Sequence, residues 1–467
     1  MTYDLAVIGG GSAGLSIAAA AAQVGQTVVL FESGALGGDC LHRGCVPSKS
    51  LIAIARRANQ IRGAAALGLN ASLDAVNADS IRSRVQSVIH ALEAHDSEAR
   101  FEKLGVTVLR HRARFTGPDR VEADGKRYRA RRYVIATGAG PVVPDIPGLA
   151  QTPYLTYESF FEQLLLPRHL VIIGAGFIGL EIAQACRRLG AEVTLIDIQA
   201  PLAREEPELA DIITRKLASE GVRILAPAKP VGVRATTDGI AVSLAEQGDA
   251  VGSHLLIAVG RRPRLDDLGL EAAGVTVTAQ AIATDRNQRT SNRRIYAIGD
   301  VAGKGQFTHL ASRHAAIVFH HIFLGLPSAT VTIPRVLYTD PELALAGLSE
   351  AEARARFGDS VVVHRRTFGD SDRAVIDGEI EGVIKLVVGR RGRILGLAIA
   401  GPGAGELIQP WLVAMENNLT IGSMARLVLP YPTMGEIGRK LAIDHYARLA
   451  SNSWVRRFIG LIAAVKR

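Results

Sequence analysis

Two of the three cysteines in the chain stand five positions apart, in the segment GGDCLHRGCVPSK at residues 37 to 49. Positions five apart lie about 140° apart around a regular helix, so Cys40 and Cys45 cannot face each other on one. A disulfide needs Cα atoms roughly 4.4 to 6.8 Å apart. The glycines and the proline of the segment favour a loop or a distorted first turn that permits this approach.

Lys49 stands four residues after Cys45 in a stretch predicted to be helical, so both side chains share one helix face. A nearby cation and a helix amino end each lower the pKa of a thiol, which makes it reactive. We therefore interpret Cys40 and Cys45 as a redox-active disulfide. The alternatives are two buried free thiols or half of a zinc site, although zinc prefers closer cysteines with further ligands. The third cysteine, Cys186, is interpreted as a small core residue.

A repeated pattern organises the chain. The segments DLAVIGGGSAGLSIAAAAAQVGQTVVLFE and HLVIIGAGFIGLEIAQACRRLGAEVTLID begin at Asp4 and His169. Each predicts a buried strand, a glycine turn, a helix and a second strand that ends in an acid, Glu32 or Asp197. The glycines of the two turns are Gly9, Gly11 and Gly14, then Gly174, Gly176 and Gly179. Such a turn lets a helix amino end bind a pyrophosphate while the acid binds ribose hydroxyls.

Two such units predict two dinucleotides, which suggests a flavin and a nicotinamide. Asp197 would repel a 2′-phosphate, and the following residues IDIQAP offer no arginine beside it. NAD(H) is therefore favoured over NADP(H).

Composition limits the other classes of protein. A chain of 467 residues that is 48% hydrophobic can build large cores, and its length predicts about three domains. Three cysteines are too few for a secreted disulfide framework, and the start lacks the pattern of a signal peptide, so a cytoplasmic protein is expected. No stretch has the roughly 18 continuous apolar residues of a membrane span. The net charge of +9 is scattered and aromatic residues are only 5%, so no nucleic-acid partner is expected.

Several motifs together resemble the pyridine nucleotide-disulfide oxidoreductases, the family of dihydrolipoamide dehydrogenase, glutathione reductase and mercuric reductase. GGDCLHRGCVPSK is similar to the family's redox-disulfide signature, with Asp39 and His42 in place of the usual Thr and Asn. The further matching segments are ATG at 136–138, VGRRP at 259–263, IYAIGD at 295–300 and PRVLYTDPELALAGLSEAEA at 334–353.

The resemblance implies an α/β fold with two Rossmann-like dinucleotide-binding domains and an α+β dimerisation domain. The expected divisions are 1–149 and 265–332 for the FAD-binding domain, 150–264 for the NAD(H)-binding domain, 333–450 for the dimerisation domain and 451–467 for a basic tail. Members of the family are homodimers.

The resemblance also implies roles for individual residues. Cys45 would lie against the flavin, Cys40 would be the outer thiol, Lys49 would contact the flavin ring and pair with Glu181, and Phe177 would cover the nicotinamide pocket. The residues assigned to cofactor binding by the repeat and the resemblance together are Gly9, Gly11, Ser12, Ala13, Gly14, Glu32, Gly38, Lys49, Ala113, Thr137, Gly138, Asp300, Gly174, Gly176, Phe177, Gly179, Asp197 and Gly260. No metal site is expected.

One position departs from the family pattern. In family members a His just before PT, backed by a Glu five residues later, acts as a base at the partner's disulfide. Here LPYPTMGEIG keeps Glu436 but has Tyr431 in place of the His. Tyr titrates near 10 and is a poor base at neutral pH, and general-base help is typically worth 10²- to 10⁴-fold. Efficient lipoamide or glutathione exchange is therefore not expected. His445 is interpreted as a surface or core residue, not as a substitute base.

Mercuric reductases also carry Tyr at this place, since a metal ion needs soft thiolates more than a base. They deliver the metal through a carboxy-terminal cysteine pair, however, which this sequence lacks, so efficient mercury reduction is not expected either. The resulting prediction is a homodimeric, mercuric reductase-like enzyme that passes electrons from NADH through FAD to Cys40 and Cys45, and on to an unidentified small molecule, small thiol or metal ion. The alternatives are a dihydrolipoamide dehydrogenase or other disulfide reductase, and a flavin- and NAD-binding redox sensor or membrane-associated partner with little turnover.

The segment SNSWVRRFIGLIAAVKR at 451–467 has the pattern of an amphipathic helix. Its apolar residues Trp454, Phe458, Ile459, Ile462 and Val465 fall near one helical face, with Arg and Lys around it. It would either pack on its own dimer, which we favour, or contact a membrane surface as a peripheral helix.

Overall fold

The computed structural model describes residues 2–328, 331–450 and 453–465. The chain forms two compact units, Met1–Ala200 with Gly221–Ala329, and Pro201–Glu220 with Thr330–Arg467.

The elements are numbered in chain order. The first are β1 (Thr2–Ile8), α1 (Ser12–Gln23), β2 (Val28–Phe31), α2 (Gly38–His42), α3 (Cys45–Gly63), α4 (Ala78–Glu93), α5 (Glu98–Lys103), β3 (Val106–Leu109), β4 (Ala113–Gly117), β5 (Arg120–Ala123) and β6 (Lys126–Ile135). The next are β7 (Ala139–Pro141), β8 (Leu155–Thr156), α6 (Tyr157–Gln163), β9 (His169–Ile173), α7 (Phe177–Arg188), β10 (Glu192–Ile196), α8 (Pro207–Ser219), β11 (Arg223–Leu225), β12 (Pro230–Thr236), β13 (Gly239–Leu244), β14 (Gly248–Gly252), β15 (His254–Ile257), β16 (Arg261–Pro263), β17 (Ile295–Ala297) and α9 (Thr308–Phe319). The last are β18 (Arg335–Leu337), β19 (Glu342–Gly347), α10 (Glu350–Phe357), β20 (Val362–Thr367), α11 (Asp372–Asp377), β21 (Val383–Val388), β22 (Ile394–Gly401), α12 (Ala404–Leu407), α13 (Gln409–Glu416), α14 (Ile421–Ala425), α15 (Glu436–Ala450) and α16 (Ser453–Val465).

The first sheet of unit one runs in the order β3-β2-β1-β6-β5-β4, with β17 also paired to β6. The strands β3, β2, β1, β6 and β17 are parallel, whereas β4, β5 and β6 form an antiparallel extension. Alternate residues of β1 enter two cores: Leu5 and Val7 pack toward α1 and α9, and Ala6 and Ile8 pack toward the other face. Burial on both faces explains the continuous apolar run of this strand.

The second sheet repeats this design. It is parallel throughout, in the order β11-β10-β9-β15-β8, with α7 following β9 as α1 follows β1. An antiparallel sheet of β12, β13 and β14 adds to its core. Both βαβ repeats predicted from the sequence are therefore present.

Unit two is built on an antiparallel sheet in the order β18-β19-β22-β21-β20. Strands β21 and β22 flank a turn at 389–392, and the short helix α12 follows them. Lys385 is buried on this sheet and pairs with Glu206 and with Glu350, 2.9 Å away. Within the three described ranges, no helix combines the length and the apolar character needed to cross a membrane.

Candidate redox site and dinucleotide-binding sites

The two cysteines meet where one short helix gives way to a long one. Helix α2 ends at His42, and α3 begins at Cys45 itself, so the expected distortion lies at Arg43 and Gly44. A Cβ atom on Gly44 would lie 2.9 Å from the carbonyl oxygen of Asp39, so only glycine allows the two helices to approach this closely. Both cysteines are free thiols in this structure, and their side chains are hydrogen-bonded to each other.

Several groups around Cys45 stabilise its thiolate. A hydrogen bond from Cys40, aided by Thr308 and by the charge of Lys49, lowers the pKa of Cys45 to about 6, although burial opposes the shift. The Oγ1 atom of Thr308 lies 3.3 Å from the Cys45 Sγ atom. The position of Cys45 at the amino end of α3 acts in the same direction. Hydrogen bonding to Cys45 and burial raise the pKa of Cys40, so the negative charge of the reduced pair belongs on Cys45.

Lys49 lies one turn further along α3, where its Nζ atom is 2.8 Å from Glu181 Oε2. Glu181 is a buried residue of α7, so this ion pair joins α3 to the helix of the second βαβ repeat. This pair is the one that the family resemblance implies. Thr308 was not predicted as a site residue; its available signal was its place as the first residue of α9, shortly after the IYAIGD segment.

The glycine turns of the two repeats have closely similar geometry. Gly9 has φ +109° and Gly174 has φ +116°, and a Cβ atom on either would lie 2.4 Å from a backbone oxygen of the neighbouring strand end. A Cβ atom on Gly14 or Gly179 would lie only 1.9 Å from the oxygen of the first glycine of its turn. These contacts explain why both turns require glycine.

Gly11 and Gly176 are the N-cap residues of α1 and α7 and supply no side-chain cap, so the first N–H groups of both helices are available to a ligand. Glu32 accepts hydrogen bonds from Gly10 N and Gly34 N, both at 2.6 Å. Asp197 accepts equivalent bonds, from the backbone nitrogens of the second repeat at 2.6 Å and 3.0 Å. An uncapped helix amino end with a fixed acid beside it suits the diphosphate and ribose of a dinucleotide.

A cleft of about 530 Å³ adjoins the first turn, and its lining includes Glu32, Gly38, Asp39, Arg43 and Arg264. Its size and its mixture of donors and acids fit part of an FAD molecule. The chain thus supplies a suitable cradle for this cofactor beside the cysteine pair.

Charged side chains surround Asp39, the partly buried residue that replaces the family's Thr. Its carboxylate lies 3.5 Å from Arg261 and 3.5 Å from Arg264, and Tyr157 donates a hydrogen bond to it at 3.3 Å. Arg261 also pairs with Asp300 at 2.9 Å. Burial raises the pKa of Asp300, and the charge of Arg261 counteracts part of this rise. The sequence analysis did not identify either arginine.

The other assigned residues lie around the two sheets. Ala113 is buried at the start of β4, Thr137 donates to the Arg264 carbonyl at 2.8 Å, and Gly138 accepts from Arg264 N at 3.0 Å. Phe177 is the first residue of α7, and Gly260 has φ +133° just before β16. Ser12 and Ala13 open α1.

Tyr431 and Glu436 belong to the second compact unit. Tyr431 is 69% exposed and donates a hydrogen bond to Asp372 Oδ2 at 2.8 Å, which raises the pKa of Tyr431. Glu436 begins α15 and lies 3.9 Å from Lys440. His445 Nδ1 lies 3.0 Å from His364 Nε2. A tyrosine hydroxyl that donates to a carboxylate is held in its neutral form, so Tyr431 is unsuited to act as a base at neutral pH.

The sequence matches the models of one known protein family. The pyridine nucleotide-disulphide oxidoreductase model matches residues 3–315, and the dimerisation domain of the same family matches residues 333–442. The chain belongs to this family. As a pyridine nucleotide-disulphide oxidoreductase it is an FAD-dependent enzyme with NAD(P)H as co-substrate, and the predicted family, fold class and cofactors are confirmed.

Two curated oxidoreductases of the family are similar over most of their length. The dihydrolipoyl dehydrogenase of Thermus scotoductus is 35% identical over 93% of this chain and 95% of its own. The mercuric reductase of Acidithiobacillus ferrooxidans is 35% identical over 95% of this chain and 82% of its own. A solved structure, the HOCl-induced flavoprotein disulfide reductase RclA from Escherichia coli, has a TM-score of 0.85 at 27% identity and covers 94% of this chain and 99% of its own. RclA has also been solved as a Cu(II) complex.

Proposed function

We propose that this enzyme passes electrons from NADH through FAD to Cys40 and Cys45, and from there to an acceptor that thiolates bind directly. The observation that carries this proposal is the set of groups that stabilise the Cys45 thiolate: Cys40, Thr308, Lys49 and the amino end of α3. FAD, when bound, accepts a hydride from the nicotinamide and supplies two electrons to the cysteine pair.

The chain's own residues have separate tasks in this scheme. Cleavage of the Cys40–Cys45 disulfide by two electrons and one proton leaves a thiolate on Cys45 and a thiol on Cys40, in agreement with the opposite directions of their pKa shifts. Cys45 would face the flavin and Cys40 the acceptor. Lys49, fixed by Glu181, would orient and charge-balance the flavin side. Asp197 would bind the ribose of NADH and disfavour a 2′-phosphate.

The presence of a neutral tyrosine hydroxyl at position 431, where a base is expected, supports an acceptor whose reduction needs no base. Reduction of a disulfide substrate by NADH consumes one proton and yields two thiols, so a proton must reach each leaving sulfur. Two-electron reduction of one Hg(II) ion to the metal, or of two Cu(II) ions to Cu(I), releases one proton instead and yields NAD⁺. Because the Tyr431 hydroxyl donates a hydrogen bond to Asp372, it is poorly suited to assist proton transfer in the reduction of a disulfide substrate. Thiolates favour soft metals such as Hg(II) or copper. Similar mercuric reductases and the Cu(II) complex of RclA support this acceptor class.

A disulfide substrate is the second candidate, favoured by the similarity to a dihydrolipoyl dehydrogenase along nearly its whole length. The two candidate acceptor classes can be distinguished by the turnover measured with each acceptor. Steady-state assays of the FAD-loaded enzyme with NADH or NADPH should compare Hg(II), Cu(II), lipoamide, glutathione disulfide and quinones. We expect kcat/KM to be highest with NADH and a soft metal ion. Highest kcat/KM with lipoamide or glutathione disulfide would overturn the proposed acceptor class, and no useful turnover with any acceptor would favour the redox-sensor alternative.

The dimerisation domain at 333–442 supports a homodimer. In it, Tyr431 and Glu436 of one subunit would complete the site around the cysteine pair of the other. Light scattering after gel filtration should then give about twice the 49.6 kDa chain mass. A monomer of full activity would overturn this arrangement.

A further inference from the structure

Helix α16, Ser453–Val465, has one strongly apolar side. Trp454, Phe458, Leu461 and Ile462 follow the helical spacing i, i+4, i+7 and i+8, so they share a face. Trp454 is 76% exposed, Phe458 64% and Leu461 66%. Scattered exposed apolar residues are ordinary, but a continuous stripe of this kind marks an interaction surface.

The charges of this segment have one sign. Arg456 and Arg457 are exposed, and about 100° per residue places Arg456 opposite the apolar side and Arg457 at its edge. The Arg457 guanidinium lies 5.9 Å from the Trp454 ring, at the border between the two sides. Residues 451–467 also include Lys466 and Arg467, which lie outside the described residues, and contain no Asp or Glu.

In place of the packing on its own dimer that the sequence favoured, we propose that α16 binds the surface of an anionic lipid bilayer, with its apolar side in the acyl-chain boundary and its arginines among the head groups. An aromatic and aliphatic face opposite a basic face is the pattern of interfacial helices. With 13 residues, α16 is about 20 Å long, which suits a helix that lies in the plane of the interface and does not span the bilayer.

Charge distinguishes this occupant from a second copy of the same helix. Two apposed copies of 451–467 would bring together eight positive charges, four from each, without a compensating acid in either segment. The head groups of an anionic bilayer carry the opposite charge and its acyl chains are apolar, so a bilayer complements both sides of α16. The proposal concerns lipid binding alone and holds whichever acceptor the redox site uses.

The tryptophans of the chain provide a direct test. Trp411 is buried at 3% exposure, whereas Trp454 is 76% exposed, so a change of emission on adding vesicles reports Trp454. Full-length FAD-loaded protein should be titrated with vesicles of phosphatidylglycerol and phosphatidylcholine, and with phosphatidylcholine alone. We expect a blue shift and co-sedimentation with the anionic vesicles, both weakened by salt. The Trp454→Phe variant should keep co-sedimentation and lose the shift.

Variants separate the two faces. Replacing Arg456 and Arg457 by Gln should weaken binding about 25-fold, from about fivefold per arginine. Changing Trp454 and Phe458 to Ser should abolish co-sedimentation. Ala463→Ser, on the polar side, is the matched control and should bind as the parent does; all variants should keep the parent's NADH-dependent flavin reduction.

Two results would overturn the proposal. One is a failure of the parent protein to bind anionic vesicles at low salt. The other is Trp454 emission that is already blue-shifted without lipid and moves to the red as dilution dissociates the oligomer, which would assign the apolar side to a second copy of the chain.

Discussion

The hydroxyl oxygen of Thr308 lies 3.3 Å from the Sγ atom of Cys45, although 263 positions separate the two residues. Each residue is the first of a helix, α9 for Thr308 and α3 for Cys45. Two helix amino ends therefore meet at one sulfur, with Lys49 one turn away. This convergence adds to the hydrogen bond from Cys40 in favouring a negative charge on Cys45.

The first prediction concerns the titration of Cys45. Because its pKa is lowered to about 6, the thiolate is present above that pH and is lost below it. Alkylation of the reduced protein by iodoacetamide, followed by mass spectrometry at Cys45, should reach half its maximal rate near pH 6. Thr308→Val should move this midpoint upward, and Thr308→Ser, which keeps the hydroxyl, should not. A midpoint near the ordinary thiol value of about 8.5 in the parent protein would refute the assignment.

The second prediction concerns the ion pair of Lys49 and Glu181. Lys49→Met removes this cation from a carboxylate whose side chain is only 8% exposed. We expect a loss of about 2–3 kcal/mol in the free energy of unfolding, below the ~3–5 kcal/mol of fully buried pairs because Lys49 is partly exposed. Glu181→Gln in the same chain should restore most of the stability. Urea denaturation of both variants measures the difference, and equal stabilities would contradict the expected coupling.

The third prediction concerns Arg261, which lies between the carboxylates of Asp39 and Asp300. Arg261→Met should leave these partly buried acids without that cation and raise the pKa of Asp300 further. Since a hydrogen bond to a charged group is worth about 1.5–3 kcal/mol, we expect FAD to bind about tenfold or more weakly. Flavin fluorescence on reconstitution of the apoprotein measures this. Arg262→Met, at the exposed neighbouring position, is the control; equal affinities for both variants would exclude this role.

The fourth prediction concerns the position that lacks a base. Tyr431→His introduces an imidazole with a pKa near neutrality, and lipoamide turnover should rise by about 10²-fold or more if proton transfer limits it. Tyr431→Phe removes the hydrogen bond to Asp372 without adding a base, so it should leave lipoamide turnover low. An unchanged rate in the His variant would mean that proton transfer at this position is not limiting.

The features that the sequence predicted well are local ones. The βαβ repeats depend on glycines whose close approach is encoded within each motif, and Lys49 shares a helix face with Cys45 because only one turn separates them. The contacts of Thr308 and Arg261 could not be predicted in this way. They depend on the packing of segments far apart in the chain. The sequence around a threonine at the start of a helix, or an arginine at the start of a strand, does not indicate which residue it contacts.

His445 illustrates the same limit in the second unit. The sequence placed it in a helix, where a surface or core position was the simplest interpretation, and its hydrogen bond to His364 arises only when α15 packs near β20. The identity of the acceptor is similarly inaccessible, because the outer face of Cys40 would be completed by a second subunit.

Anaerobic reduction by NADH tests the central claim most directly. If Cys45 abuts the flavin as a thiolate, stoichiometric NADH should produce a long-wavelength charge-transfer absorbance band. The band should be lost in Cys45→Ser and should be present in Cys40→Ser without any reductant, because that variant keeps a free Cys45 thiolate. A band that survives in Cys45→Ser, or is absent from the parent protein, would contradict the account.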